Sequence, residues 1–265
     1  MKTPCRDGAV SRLGRLVLLV VLLPVAGMAD QGKPPQYWAA MARGDYAAAL
    51  SELRPLAEQG DPEAQYSLAM LYADGLGVAR DDAKAAAWLR KAAEQGQLRA
   101  QVRLGHLYKD GRGVPSDHAM ALSWYRKAAD AGDAIAQNNV GYMYANGRGA
   151  AKNDAEAVKW YRKAADQGLA GAQSNLGVMY LQGNGMVQDD VEAVKWIRKA
   201  ADQGEAYAQY NLGLMYAQGR GVFLKDEREA LTWLRRAAAG GYMPAAAVLR
   251  RLEGPEVTRP ARRSP

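Results

Sequence analysis

The sequence predicts an all-α protein, an α-solenoid of stacked antiparallel helix hairpins, and three observations carry that prediction. The segment Leu169–Gly204 is written again in register at Asp133–Gly168, Gln97–Gly132 and Asp61–Gly96, a fixed period of 36 residues, and a fifth copy at Glu205–Gly241 carries one inserted residue in its loop. Self-similarity at a period of roughly 20–50 residues marks a stacked-repeat architecture. Each copy also holds two apolar stripes at helical spacing, with a glycine-rich link between them. Because an array grows by adding units, the length of 265 residues measures repeat number and not the size of one core.

Taken in order, residues 1–29 read as a secretory leader: a basic start, an apolar run Leu16–Ala26, then Gly27-Met28-Ala29 with small residues flanking Met28 ahead of a cut before Asp30. The run falls short of the ~20 residues a spanning helix needs. Cys5, the sole cysteine, lies inside this leader, so the mature chain makes no disulfide and offers no thiol to a lipid anchor. The expected product is periplasmic or secreted, with no stable membrane insertion after the leader is cut. Of the formal net charge of +7, the leader's Lys2, Arg6, Arg12 and Arg15 less Asp7 account for three, leaving +4. That balance is too weak to argue for nucleic acid.

Residues 30–43 form a polar lead-in with Pro34-Pro35, expected to be loose up to about Tyr37. Residues 44–60 form an N-terminal capping helix, with Ala49 and Ala57 in the columns of Ala85 and Ala93. Repeats follow at 61–96, 97–132, 133–168, 169–204 and 205–241, then a C-terminal capping helix at 242–252 and a basic, proline-containing tail at 253–265 that is expected to be disordered. Polar caps at both ends make a monomer the expected state.

In the first half of the fourth copy, Ala172, Leu176, Met179 and Tyr180 recur at i, i+4, i+7 and i+8, one stripe of a helix, and every copy repeats the stripe. The second half repeats Ala193, Trp196 and Ala200. Gln59-Gly60-Asp61-Pro62 reads as helix stop, left-handed glycine, N-cap and first-turn proline. Pairs such as Gly111/Gly113 and Gly183/Gly185 supply a G-x-G turn inside each copy. Asp81-Asp82, Asp117, Asn153-Asp154, Asp189-Asp190 and Asp226-Glu227 then stand where the second helix begins, as caps and as negative charge at its positive end. Trp and Tyr columns are expected to face the small column Ala69, Gly105, Gly141, Gly177 and Gly213, and Trp160→Ala to cost ~3–5 kcal/mol.

The pattern A-Q-x-x-L-G-x-M-Y-x-x-G-x-G-V, then D, then A-x-x-W-Y-x-K-A-A-x-x-G, resembles the Sel1-like repeat, a relative of the tetratricopeptide repeat, across residues 61–241. The resemblance implies a right-handed superhelix whose first helices line a concave face, and a role in binding other proteins. Bacterial members are often exported and serve envelope assembly, host interaction or protection against toxins. Penicillin binding or hydrolysis has been attributed to members that pair cysteines in every repeat. No repeat of this chain holds a cysteine, so that reading loses its footing.

No enzyme is visible. The G-x-G turns do not form G-x-G-x-x-G after a strand, the acidic pairs lack the alternating ligands of a calcium loop, and no serine sits in G-x-S-x-G. His106 and His118 fall in different halves of one copy and pair with nothing at motif spacing, so no cofactor or metal is expected. One basic pair recurs per copy: Arg90-Lys91, Arg126-Lys127, Arg162-Lys163, Arg198-Lys199 and Arg235-Arg236. An acid four residues after the Arg in the first four, such as Glu94 or Asp130, predicts helical ion pairs on a solvated face.

The candidate site is the set of positions that vary while the framework stays constant. Between the Gln and Leu of each first helix stand Tyr66-Ser67, Val102-Arg103, Asn138-Asn139, Ser174-Asn175 and Tyr210-Asn211, and one turn on come Met70, His106, Tyr142, Val178 and Leu214. Helical geometry turns these away from the apolar stripe. The resemblance places Asn139, Asn175 and Asn211 where similar tetratricopeptide grooves hold the backbone of a bound peptide. Five layers at ~10 Å each would give a groove of order 50 Å. The partner-binding residues expected are therefore Tyr66, Arg103, His106, Asn138, Asn139, Tyr142, Asn175, Tyr210 and Asn211. The function expected is an exported, non-enzymatic scaffold that takes a protein or peptide on its concave face, in the manner of an immunity or envelope-assembly protein. The alternative is an envelope factor that holds anionic glycan or lipid through the basic pairs.

Overall fold

Helices this short are marginal alone in water, so each must be held by its neighbours. The computed structural model of the protein describes residues 36–253, and the leader, its cut and the tail beyond Glu253 lie outside the described residues. The described chain is all-α, a solenoid of thirteen helices with no strand, and it divides into two compact units between Lys152 and Asn153. The N-terminal unit holds α1 (Gln36–Ala42), α2 (Tyr46–Glu58), α3 (Pro62–Asp74), α4 (Asp82–Glu94), α5 (Leu98–Asp110), α6 (His118–Asp130) and α7 (Ala134–Asn146). The C-terminal unit holds α8 (Asp154–Asp166), α9 (Ala170–Gln182), α10 (Asp190–Asp202), α11 (Ala206–Gln218), α12 (Glu227–Ala239) and α13 (Met243–Glu253). Within each unit every helix packs on the next one in the chain.

The caps follow the sequence. Asp81, Asp117, Asn153, Asp189 and Asp226 accept a backbone hydrogen bond from the third residue of their second helix at 2.9–3.0 Å. The link then folds back on the first helix: the amides of Asp81, Asp117, Asp189 and Asp226 donate to the carbonyls of Tyr72, Tyr108, Tyr180 and Tyr216. In the last link, which carries the single-residue insertion, Phe223 and Leu224 are exposed.

Between copies, the buried framework glutamines reach back one helix. Nε2 of Gln65, Gln101, Gln137, Gln173 and Gln209 donates at 3.0–3.2 Å to the carbonyls of Ala57, Ala93, Ala129, Ala165 and Ala201, near the ends of the preceding helices. Those are carbonyls that a helix end leaves short of partners.

One expectation changes and two hold in part. Residues 36–42, assigned to a lead-in, form helix α1, because Tyr37 and Ala40 fill the core face that α2 presents through Ala49, Leu50 and Leu53. The small column meets most closely the residue after each tryptophan, which is a tyrosine, as expected, at Gly105. A Cβ on Gly105, Gly177 or Gly213 would fall 2.5–2.7 Å from the side chains of Tyr125, Ile197 or Leu234, each one residue after the Trp. Of the expected ion pairs within the second helices, Arg126–Asp130 forms at 3.9 Å, and the arginines also reach the next copy: the guanidiniums of Arg90 and Arg126 donate to the Tyr108 and Tyr144 hydroxyls at 2.6 and 2.9 Å. Arg162 and Arg198 do the same with Tyr180 and Tyr216. A long side chain gains more from a half-buried acceptor on a rigid neighbour than from an exposed, screened carboxylate.

Ion pairs also clamp one layer to the next. Arg112, the middle residue of a G-x-G link, donates to Asp82 at 2.9 Å, and Arg220 grips Asp190 with two bonds at 2.7 and 3.0 Å. The Arg80 and Arg112 guanidiniums hold the Asp82 carboxyl below the usual carboxylate range, and Arg220 does so for Asp190. A carboxyl whose folded pKa is depressed adds stability above its unfolded value, about 3.9, and loses it as pH falls through the folded value. The melting temperature is therefore expected to hold from pH 7 to about 5 and to fall below about pH 4. Asp190→Asn should melt lower at pH 7 and lose less on acidification, checked by circular dichroism melts across that range.

Candidate functional site

The variable positions sit on the first helices, beside stripes whose alanines, leucines and methionines are buried against the second helices. In the N-terminal unit they come from α3, α5 and α7. Tyr66 is half-buried, with the Arg99 guanidinium 4.6 Å above its ring, and Arg99 in turn pairs with Glu63. Arg103 is exposed and has no partner among the described residues. His106 lies one turn further along α5, its Nδ1 2.8 Å from the Tyr125 hydroxyl and the two rings edge to face at 5.4 Å. That bond ties the imidazole to its own copy.

On α7, Asn138, Asn139 and Tyr142 are half-buried, and the Arg148 guanidinium lies 5.4 Å from the Tyr142 ring centroid. In the C-terminal unit, Asn175 on α9 and Asn211 on α11 are half-buried, and the Tyr210 ring stands 5.0 Å from Tyr242. Tyr207 packs against the same Tyr242 at 5.8 Å.

The structure thus groups six of the nine expected residues on the first helices of one unit and three on those of the other. It alters the asparagine reading: the Nδ2 atoms of Asn139 and Asn211 are enclosed and make no hydrogen bond. Those two donors turn into the protein, whereas Tyr66, Arg103, Asn138 and Tyr142 stay half-buried or exposed. Neighbouring Val102, Ser174 and Val178 are buried and belong to the packing.

Reading columns only between the Gln and Leu missed Glu63, Arg99, Ile135 and Tyr207, which stand two residues before the framework glutamine and vary as much. Arg148 was missed because it lies in the link. Comparing it with Arg112 and Arg220 in the same column would have singled it out.

A family model described as Sel1 repeat matches residues 62–97, 98–133, 134–169, 170–205 and 206–242. The chain belongs to the Sel1 repeat family. A Sel1 repeat protein from Oxalobacter formigenes is 36% identical over 83% of this chain and 87% of its own, with a TM-score of 0.78. A protective antigen present in uropathogenic Escherichia coli strains, which displays the same repeat fold, is 36% identical over 82% of this chain with a TM-score of 0.74. The present chain spans 48% of that relative's length. No curated protein matches the chain.

In this Sel1 repeat protein both members of the first four basic pairs make structural contacts. The Arg reaches the next copy's tyrosine, and the Lys lies over the tryptophan of its own helix: Lys91, Lys127, Lys163 and Lys199 stand 3.8–4.1 Å from the ring centroids of Trp88, Trp124, Trp160 and Trp196. Among the described residues no group of three or more His, Cys, Asp or Glu could hold a metal ion, and no helix is long and apolar enough to cross a membrane.

Proposed function

We propose that the protein is an exported, non-enzymatic scaffold that binds a protein or peptide segment on the face formed by its first helices. The observation that carries this reading is the contrast between columns. Framework positions repeat and are buried, whereas Tyr66, Arg103, His106, Asn138 and Tyr142 differ from copy to copy and stay half-buried or exposed on one unit. Partly buried Tyr and Arg are the side chains that most often anchor a protein partner, because they offer large area with a polar end. The leader-like residues 1–29 support export, and the resemblance assigns the first helices to the concave side. The polyanion alternative draws less support, since the first four basic pairs are taken up by tyrosine and tryptophan contacts.

The test is a crosslinked affinity capture from membrane and secreted fractions, comparing the parent with a Tyr66→Ala/Arg103→Ala/Tyr142→Ala variant of unchanged helicity. Recovery of a protein is expected to drop at least about tenfold in the variant, as loss of one or two anchors implies. Equal recovery would move the site off this face. A toxin among the captured proteins would specify an immunity role, and an envelope assembly factor the other.

A further inference from the structure

We propose that the N-terminal unit's first-helix face selects an acidic peptide segment, with Arg148 and Arg103 as the carboxylate contacts on either side of Tyr142 and His106. The inference rests on the binding reading above and specifies the chemistry of its partner.

The argument comes from comparing copies. The middle residue of the G-x-G link is arginine in three of them: Arg112, Arg148 and Arg220. Thirty residues earlier, at the first position of a second helix, stand Asp82, His118 and Asp190 respectively. Where that residue is aspartate, the arginine is spent on it, at 2.9 Å for Arg112 and 2.7 Å for Arg220. Where it is His118, the clamp has no carboxylate. Arg148 then has no ion pair among the described residues and rests over Tyr142 instead.

A guanidinium parked on an aromatic face keeps its donor edge available for a carboxylate. Tyr142 occupies in α7 the column that His106 occupies in α5, and both helices pack on α6. One turn before His106, Arg103 is exposed and unpaired, in a column that otherwise holds Ser or Asn. The other cations on the first helices of this unit are paired, Arg99 with Glu63 and Lys109 with Asp110 at 3.6 Å. Two cations remain without an ion pair among the described residues, Arg148 over the Tyr142 ring and Arg103 one helical turn before His106. That arrangement favours acidic side chains on an extended segment, in which charge gives selectivity and ring contact gives area.

Fluorescence anisotropy of the purified protein with a short labelled peptide alternating Glu and Ala, and with its Gln counterpart, tests the proposal. The Glu peptide is expected to bind more tightly, with an affinity that falls as salt is raised. Arg148→Gln and Arg103→Gln should each weaken it about three- to tenfold. His118→Asp should restore the clamp seen in the other two copies, weaken the Glu peptide by a similar factor, and leave the melting temperature equal or higher. Arg112→Gln should lower the melting temperature and leave affinity unchanged.

Equal binding of the Glu and Gln peptides, or a His118→Asp variant with parental affinity whatever its melting temperature, overturns the acidic selectivity while the scaffold reading stands. No binding of either peptide at any salt also overturns it, and the scaffold reading is then decided separately by the affinity capture.

Discussion

Gly113→Ala is expected to cost about 3–5 kcal/mol of stability, the sum of a strained left-handed residue and a backbone collision. Gly113 has φ of +68°, and a Cβ there would fall 2.0 Å from the Asp82 carbonyl oxygen and 2.3 Å from its carbon. No rotamer change relieves such contacts, because the obstacle is main chain at the start of α4. The layers must separate by more than an ångström, which also breaks the Arg112–Asp82 pair. Gly132→Ala is the control: its φ is +97°, yet nothing lies within 4 Å of the added Cβ, so conformational strain of roughly 1–2 kcal/mol is all it should lose. Urea denaturation followed by circular dichroism separates the two. Equal losses would mean that left-handed geometry alone explains the glycines, and that the close approach of successive layers contributes nothing.

Trp160→Ala is the second large effect, ~3–5 kcal/mol, from lost burial and the cavity left behind. Trp160 is only 4% exposed in α8, and Lys163 Nζ stands 4.1 Å from its ring centroid. Burial and cation–π attraction could both explain the column, and their magnitudes differ. An ammonium over a ring near the surface is worth roughly 0.5–1 kcal/mol. Lys163→Met keeps the covering stem and removes the charge, so it should cost no more than about 1 kcal/mol. Thermal melts of both variants decide the matter. A Lys163→Met loss as large as that of Trp160→Ala would make the charge, and not the packing, the reason the tryptophan recurs.

Part of the candidate face was legible, because a repeat supplies its own controls: columns that stay constant pack, while in the columns that vary Tyr66, Arg103 and Tyr142 stay half-buried or exposed and Val102, Ser174 and Val178 are buried. The reading erred where neighbouring positions compete for one role. Ile197 and not Trp196 fills the space above Gly177, and Asn139 turns its amide nitrogen inward although its position matches that of peptide-holding asparagines in the resembling family. Arg148 was overlooked because its importance lies in what it lacks, and the missing partner, His118, stands 30 residues earlier in the chain.

By itself the sequence determined the helices, their caps, the left-handed stops and the repeat period, since each depends on residues within one or two turns. Tertiary structure decided which side chain meets which across layers: Arg90 with Tyr108 instead of Glu94, Lys91 over Trp88, Arg112 with Asp82, and Tyr37 drawing residues 36–42 into a helix. Those choices depend on the spacing and crossing of packed helices, where a displacement of a single residue or a few ångströms exchanges one partner for another. Local spacing does not encode that distance.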